Sequence, residues 1–414
     1  MRSRFEYRHR RLWLCWAVFL GGLAFLWRRL MRRTRFIAIT GSVGKTTTTA
    51  ALETILSSRF PVNASRDGMN GRADLAAAIL RTRLRHRFAV VEVGTKLPGA
   101  LKRAAWELDP DIVVVLTVAR THTDRFPTLE HTAAEKAQLL ARMGRRGLAV
   151  LNGDDPRVLA MALRCRVRVL TFGSSPHHDL WAGEASSVWP DRLSFRVHWA
   201  AQSRWVQTRL VGEHWLTPAL AALAAAVGCG LDIEAAASAL ETLEPCQARL
   251  QPVSLPSGAT LLRDDFNPTI ASFPAALRVL RQARARRRLL MLSDVTDTGL
   301  DEPSKFREIG AAAAGSADVA VFFGTASRAL AAAAVEAGMG PESVHAFADP
   351  WAVTEFLRTQ SREGDLGLFR CGMTDHAERV HLSLLGRVDC LTQECGRLHV
   401  CDSCTDLRRK ETGD

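Results

Sequence analysis

Short apolar runs alternate along this chain with stretches whose apolar residues recur at helical spacing. In the first half the runs predict buried strands, and the stretches between them predict helices on both faces of a parallel sheet. Strands are predicted at 36–40, 88–93, 112–118 and 148–152, and helices at 46–56, 75–83 and 132–143. This alternation is typical of βαβ units, and it predicts an α/β fold.

The pattern changes after residue 180 and then resumes. Alternating positions in 180–211 predict further strands, and alanine-rich helices follow at 218–227 and 233–243. After Glu244-Pro245, strands are predicted at 259–263, 289–293, 317–323 and 366–371, with helices at 270–284 and 304–314. A chain of 414 residues has room for two cores. We expect a central domain at 36–246, a smaller Rossmann-like domain at 247–386 and a cysteine-rich tail at 387–414.

The positive charge of the chain is concentrated at its start. Residues 1–35 hold ten arginines and one glutamate, so they carry nine of the twelve net positive charges. The rest of the chain is close to neutral. We therefore expect no nucleic-acid partner for the folded domains.

These arginines flank an uncharged apolar stretch at 12–27 that contains Trp13, Trp16 and Trp27. As a helix it would be about 24 Å long, and tryptophans with flanking arginines suit a membrane interface. We predict a transmembrane anchor that holds the chain at the cell inner membrane, with the folded domains on the cytoplasmic side. A helix lying on the inner leaflet is the alternative, and a cleaved signal peptide lacks a small-residue cleavage site.

The clearest chemical signal is a glycine-containing turn between the first predicted strand and helix. It has the short form G-x-x-G-K-T, in which backbone N–H groups converge on phosphate oxygens. The lysine supplies a positive charge for the β- and γ-phosphates, and the threonine hydroxyl suits Mg²⁺. The predicted ATP-binding residues here are Gly41, Ser42, Val43, Gly44, Lys45, Thr46 and Thr47.

Three further polar residues follow strands or lie on the next helix. Glu92 ends the strand at 88–93, His122 follows the strand at 112–118, and Lys136 lies on the helix after it. Because ligands collect at the carboxyl ends of parallel strands, we expect these residues near the phosphate turn.

With these motifs the chain resembles the Mur ligase family of ATP-dependent ligases, and it lies closest to the members that add the terminal dipeptide of the peptidoglycan stem peptide. The motifs are 40–47, Met69-Asn-Gly71, Val91-Glu-Val-Gly94, Asp109-Pro-Asp-Ile112, Leu151-Asn-Gly-Asp-Asp155, Gly212-Glu-His214, Ala248-Arg-Leu250 and Asp264-Asp-Phe-Asn-Pro268, with His122 and Lys136. They extend over roughly residues 36–386.

The resemblance implies a reaction and a set of residue roles. A carboxylate is activated by ATP as an acyl phosphate, which an amine then attacks. Two Mg²⁺ ions would be held by Thr46, Glu92, His122 and a carbamylated Lys136, and the catalytic residues would be Lys45, Lys136, His122 and Arg249. Asp265 and Asn267 would lie near the nucleotide.

The chain also departs from the family pattern. Trp215 and Pro218 stand where the family has two asparagines, and Trp215 is either an adenine-stacking or a core residue. The late lysine-glycine-serine segment reads Phe369-Arg-Cys-Gly-Met-Thr-Asp-His376. Because the phosphate turn follows the apolar stretch at 12–27 almost at once, we expect the chain to lack the family's uridine-nucleotide domain. These departures predict a membrane-linked carboxylate substrate, with an amino acid or dipeptide as the amine.

Two other functions stay open at this point. The layout is also similar to the ligase subunit of poly-γ-glutamate synthase, which would make a polymer. A degenerate ATP-binding scaffold of an envelope complex is the third hypothesis, although the retained Lys45, Glu92, His122 and Lys136 argue against it.

Four of the nine cysteines lie in the tail. Cys390, Cys395, Cys401 and Cys404 include one C-x-x-C pair, and together they would form a structural zinc site of four thiolates. A reduced tail without metal is the alternative.

Overall fold

A computed structural model describes residues 10–65, 71–95, 97–120, 125–266, 272–293, 295, 300–372, 375–386, 388, 390 and 401–404. The chain forms two compact units. The first, here called the central unit, extends to Ser187 and includes Arg192–Glu244. The second, the C-terminal unit, begins at Pro245 and also includes Val188–Asp191.

A nine-stranded sheet forms the middle of the central unit, with the order β2-β3-β1-β4-β5-β6-β7-β8-β9. Pairing is parallel up to β7, and β8 and β9 add an antiparallel hairpin. The strands are β1 Arg35–Thr40, β2 Val62–Ala64, β3 Phe88–Glu92, β4 Ile112–Val115, β5 Leu148–Asn152, β6 Arg168–Gly173, β7 Leu180–Ser186, β8 Ser194–Trp199 and β9 Gln202–Gln207.

Helices cover both faces of this sheet. Along β1, Phe36 and Ala38 pack into one apolar cluster, whereas Ile37 and Ile39 pack into the other. Successive strand residues point to opposite faces, so this division shows that both faces are buried. The helices are α1 Arg10–Leu30, α2 Lys45–Ser57, α3 Arg72–Arg81, α4 Ala100–Leu108, α5 Leu129–Ala137, α6 Pro156–Leu159, α7 Leu216–Gly228 and α8 Ile233–Leu240.

Helix α1 packs against α3 and α4, and this overturns the predicted membrane anchor. Ala24 and Met31 are buried in the core beneath the helix, and the Trp27 indole donates to the Thr82 carbonyl at 2.8 Å. Arg28 donates to the Leu108 carbonyl at 2.7 Å instead of extending towards lipid. None of the helices in the described part of the chain is long and apolar enough to cross a membrane. The transmembrane anchor and the inner-membrane location predicted from it are therefore wrong.

The C-terminal unit contains a six-stranded sheet with the order β10-β11-β15-β12-β13-β14, parallel except for β10 with β11. Its strands are β10 Gln251–Ser254, β11 Thr260–Arg263, β12 Arg288–Leu292, β13 Val319–Phe323, β14 Val344–Phe347 and β15 Leu366–Arg370. Its helices are α9 Phe273–Gln282, α10 Glu302–Ala314, α11 Ser327–Glu336, α12 Pro350–Gln360 and α13 Glu378–Leu384. Both units confirm the predicted α/β class.

The strand order of the central unit explains where its polar residues meet. Strand β1 lies between β3 and β4, so the strand order reverses beside it. The register pairs Ile39 with Glu92 on one side and Thr40 with Val115 on the other. Crevices at such reversals, beyond the carboxyl ends of the strands, are the ligand sites of open α/β sheets.

Candidate active site

The turn between β1 and α2 has the backbone geometry of a phosphate loop. Gly44 adopts a φ of 83°, a left-handed conformation that glycine tolerates best. A Cβ on Gly41 would lie 2.8 Å from the Leu116 Cβ, so only glycine fits against the segment after β4. The Lys45 ammonium donates to the Gly41 carbonyl at 2.9 Å. This closed loop, followed by the positive end of a 13-residue helix, is suited to an anion.

Ser42 fixes the loop to the segment that follows β4. Its amide donates to the Thr117 carbonyl at 2.9 Å, and its hydroxyl accepts from the Ala119 amide at the same distance. The Asp155 carboxylate holds this segment from the other side, because it accepts from the Val118 amide at 2.7 Å. The segment leads towards His122, which lies outside the described residues.

Thr46 and Glu92 meet beside the loop. The Thr46 hydroxyl donates to the Glu92 carboxylate at 2.9 Å, and Glu92 is only 3% exposed. The Glu92 backbone amide donates to the Ser65 hydroxyl at 3.0 Å, which anchors the end of β3. A hydroxyl and a carboxylate at this distance are two oxygen donors of the kind that Mg²⁺ prefers.

Lys136 lies on α5 and is 2% exposed. Burial and, to a smaller extent, the positive charge of Lys45 lower its pKa to about 7, whereas Glu135 opposes the shift. A buried lysine with this pKa is largely an uncharged amine in mildly alkaline solution. Such an amine is a nucleophile, and its reaction with CO₂ would replace a cation by an anionic oxygen donor.

Glu135 was not identified from the sequence, although it adjoins Lys136. Its two carboxylate oxygens accept from the Gly99 amide at 2.9 Å and the Leu101 amide at 2.8 Å, at the start of α4. Glu135 therefore fixes α5 to α4 and sets the position of Lys136. A side chain that caps a distant helix leaves no local signal, so only the fold reveals this role.

The structure brings together the phosphate loop, Thr46, Glu92 and Lys136. The other predicted site residues that it describes, Asp265 and Arg249, have contacts within the C-terminal unit. Asp265 is fully buried, and its carboxylate is paired with the Arg263 guanidinium at 2.9 Å. Arg249, also in the C-terminal unit, lies over the Phe266 ring at 4.4 Å from its centroid. Their nucleotide roles stay predictions, and Asn267 lies outside the described residues.

Trp215 and Pro218 have clear structural roles. Trp215 is 8% exposed and packs in the core of the central unit. Of the two roles expected for it, adenine stacking or core packing, the structure favours core packing. Pro218, on α7, lies beside the phosphate loop, and its Cγ would be 3.0 Å from a Cβ on Gly44. Pro218 thus supports the loop by packing.

Three of the four tail cysteines, Cys390, Cys401 and Cys404, are among the described residues, and Cys395 lies outside them. Cys401 is buried, with its sulfur 3.5 Å from Nδ1 of His376. The four-cysteine zinc site stays a prediction.

Comparison with known proteins gives two domain matches. Residues 39–226 match the Mur ligase middle domain, and residues 248–370 match the Mur ligase, glutamate ligase domain. The matches cover the loop, Glu92, Lys136 and both sheets.

Curated relatives and solved structures agree with these matches. The UDP-N-acetylmuramoyl-tripeptide–D-alanyl-D-alanine ligase of Mycobacterium leprae is 30% identical over 363 residues, 81% of this chain and 70% of that protein. The ligase of the same name from Mycobacterium tuberculosis is 31% identical over 280 residues, 66% of this chain, which spans about half (55%) of that relative. MurF from Thermotoga maritima, solved with ADP, superposes with a TM-score of 0.77 at 20% identity over 90% of this chain and 85% of that one, and this shows a shared fold.

Proposed function

Since this chain belongs to the Mur ligase family, we propose that it is an ATP-dependent ligase that joins a carboxylate to an amine through an acyl phosphate. The proposal is supported above all by the arrangement of Lys45, Thr46, Glu92 and a buried Lys136 around one phosphate loop. A loop alone would suit many nucleotide-binding proteins. The lysine of low pKa beside it favours a ligase of this family.

The phosphate loop fits ATP. Its glycine geometry leaves the backbone N–H groups of Val43 and Gly44 at the start of α2, where they suit phosphate oxygens. Lys45 holds its charge at the loop through the Gly41 carbonyl and adds a donor for the β- and γ-phosphates. Thr46 and Thr47 lie in the first turn of α2, whose dipole favours the same anion.

The donor set beside the loop fits magnesium. Thr46 and Glu92 supply oxygen donors, and a carbamate on Lys136 would supply another. We propose that these residues, together with His122, hold two Mg²⁺ ions. When bound, such ions neutralise charge on a transferring phosphoryl group.

The chain's own residues then act on charge and position. One oxygen of the substrate carboxylate attacks the γ-phosphorus, the bond to ADP breaks, and an acyl phosphate forms. The amine nitrogen attacks the acyl carbon, phosphate leaves, and the amine loses a proton. Lys45 stabilises the negative charge on the phosphoryl oxygens during transfer, and preorganised cations of this kind supply much of such catalysis. Glu135 keeps Lys136 in place through α4.

The names of the relatives indicate the substrate class. We propose a peptidoglycan-type peptide as the carboxylate and an amino acid or dipeptide, of which D-alanyl-D-alanine is the first candidate, as the amine. The segment at 369–376 differs from the family pattern, and its Arg370 is fully buried and hydrogen-bonded to the Ser272 hydroxyl at 2.7 Å. The selection of the amine therefore has to be measured.

The test is a coupled assay with the purified full chain. ATP, Mg²⁺, a UDP-linked muramoyl tripeptide and D-alanyl-D-alanine are supplied together and singly, and phosphate release and product mass are recorded. We expect phosphate release only with carboxylate and amine together, with a product that equals their sum less one water. Lys45→Ala should reduce the rate of phosphate release by about 10²–10³-fold.

Other outcomes would identify other functions. A ladder of products from glutamate would indicate a polymer-forming ligase and would overturn the proposed single ligation. Nucleotide binding without turnover across a panel of carboxylates and amines would support the scaffold hypothesis instead.

A further inference from the structure

A second cluster of metal-ligating side chains lies in the C-terminal unit, where a short segment of the tail meets α13. His376 and Glu378 flank the start of α13, and Cys401 comes from the tail, 25 residues after His376. One ligand atom from each lies within 4.8 Å of the others, and all three residues are buried. The sequence pattern did not group them, because it drew attention to the residues of the tail and not to His376 or Glu378.

The Glu378 carboxylate gives the strongest indication of a ligand. Glu378 is fully buried, and neither of its oxygens has a hydrogen-bond partner within the described part of the chain. A buried carboxylate is costly unless it is paired, hydrogen-bonded, protonated or bound to a metal. Its position beside an imidazole and a thiol favours the last of these.

The charged groups nearby are already paired with one another. The Arg263 guanidinium binds Asp265 at 2.9 Å and Asp402, from the same tail segment, at 2.8 Å. His381 lies 3.6 Å from the Asp402 carboxylate. The positive charge of Arg263 is already neutralised by the Asp265 and Asp402 carboxylates. Arg263 is therefore not the cation that neutralises the Glu378 carboxylate.

We propose that His376, Glu378 and Cys401 bind a zinc ion. A thiolate, an imidazole and a carboxylate are the three ligand types that zinc takes in proteins. Ligand atoms on one zinc ion lie about 4 Å apart or less, so modest side-chain rotation from the observed positions closes the site. Cys404 follows in a C-x-x-C pair, with its amide donating to the Cys401 carbonyl at 2.9 Å, and is the candidate for the fourth ligand.

Unlike a site of four tail cysteines, the proposed site would link the tail to the folded C-terminal unit. Two of its ligands belong to the folded unit, so the ion would attach residues 401–404 to α13. Asp402 would thereby be held against Arg263, beside Asp265 and Asp264. Zinc would then stabilise this part of the C-terminal unit, a role independent of the proposed ligase activity.

The experiment measures zinc in the full chain, purified and reconstituted with Zn²⁺ alone. We expect stoichiometric zinc in the wild type and its loss in His376→Asn, Glu378→Gln and Cys401→Ser. Cys390→Ser and Cys395→Ser should retain it, and Cys165→Ser, in the central unit, is the matched control. Chelation should lower the Tm of the wild type but leave that of Cys401→Ser unchanged.

Cobalt substitution supplies a readout that does not depend on the folding of a variant. Wild type with Co²⁺ should show a thiolate-to-metal charge-transfer band together with intense tetrahedral d–d bands. Absence of stoichiometric metal in the wild type, or loss in Cys390→Ser and Cys395→Ser with retention in His376→Asn and Glu378→Gln, would overturn the proposal. The second result would establish a four-cysteine site instead.

Discussion

The Thr46 hydroxyl donates a hydrogen bond of 2.9 Å to the Glu92 carboxylate, and this bond joins the first turn of α2 to the end of β3. The two residues are 46 positions apart in sequence. They meet because β1 and β3 are paired in parallel and both end at the same edge of the sheet.

Replacing Glu92 by Gln should weaken magnesium use more than nucleotide binding. The amide still accepts the Thr46 hydroxyl, but it lacks the negative charge that a hard cation prefers. We expect the Mg²⁺ concentration for half-maximal activity to rise by at least about 10-fold, since loss of even an outer-shell partner of a metal site costs about 10- to 100-fold in metal affinity or activity. A Mg²⁺ titration of activity measures it, and an unchanged midpoint would contradict the assignment.

Lys45→Ala should reduce turnover while the protein stays folded. Lys45 is half-buried and bonded to its own loop, so its removal takes away a preorganised charge without opening the core. Loss of one such donor costs about 10²–10³-fold in kcat. Lys102→Ala, on the exposed face of α4, is the control and should keep wild-type kcat.

Lys136 should carry a carbamate in the presence of CO₂. Its pKa of about 7 means that the reactive, uncharged amine is the major form above that pH and the minor form below it. Activity should therefore fall as the pH decreases through about 7, and added bicarbonate should raise it. Carbon-13 NMR with labelled bicarbonate should show a carbamate signal that Lys136→Ala lacks. A signal of equal size in that variant would refute the modification.

The same lysine should make stability depend on pH in CO₂-free buffer. The folded-state pKa is about 7 and the ordinary value is 10.5, so between these values the unfolded chain binds a proton that the folded chain does not. The contribution of Lys136 to stability therefore rises with pH across this window. We expect Tm of the wild type to increase with pH relative to that of Lys136→Met. Parallel curves would show that Lys136 titrates normally.

Glu135→Ala should destabilise the central unit and misplace Lys136. The carboxylate accepts from two amides at the start of α4, and loss of a helix cap costs about 0.5–2 kcal/mol. Urea denaturation measures the loss. Glu130→Ala, on the same helix but exposed, should leave the stability nearly unchanged.

The elements around the phosphate loop were predictable because their signals are local. The strand at 36–40 and the helix at 46–56 correspond to β1 and α2 within one residue at each end. Their apolar runs, the glycine at a positive φ and the lysine-threonine pair all lie within a few residues. Other elements have weak local patterns, so β2 and α4 were not predicted.

The first helix shows where a local pattern is ambiguous. An apolar stretch with arginines at both ends suits a bilayer, and it suits equally a helix packed on a protein. Tertiary contacts decide, because Arg28 and Trp27 bind backbone carbonyls of the neighbouring helices. Burial of Ala24 and Met31 completes that interface.

By itself the sequence determined the α/β class, the phosphate loop and the resemblance to one family, since each depends on residues adjacent in the chain. Only the tertiary structure decided that Thr46 meets Glu92, that Lys136 is buried with a lowered pKa, and that Cys401 lies beside His376 and Glu378. These features arise from groups distant in sequence, and their distance and burial, which set their chemistry, exist only once the chain is folded.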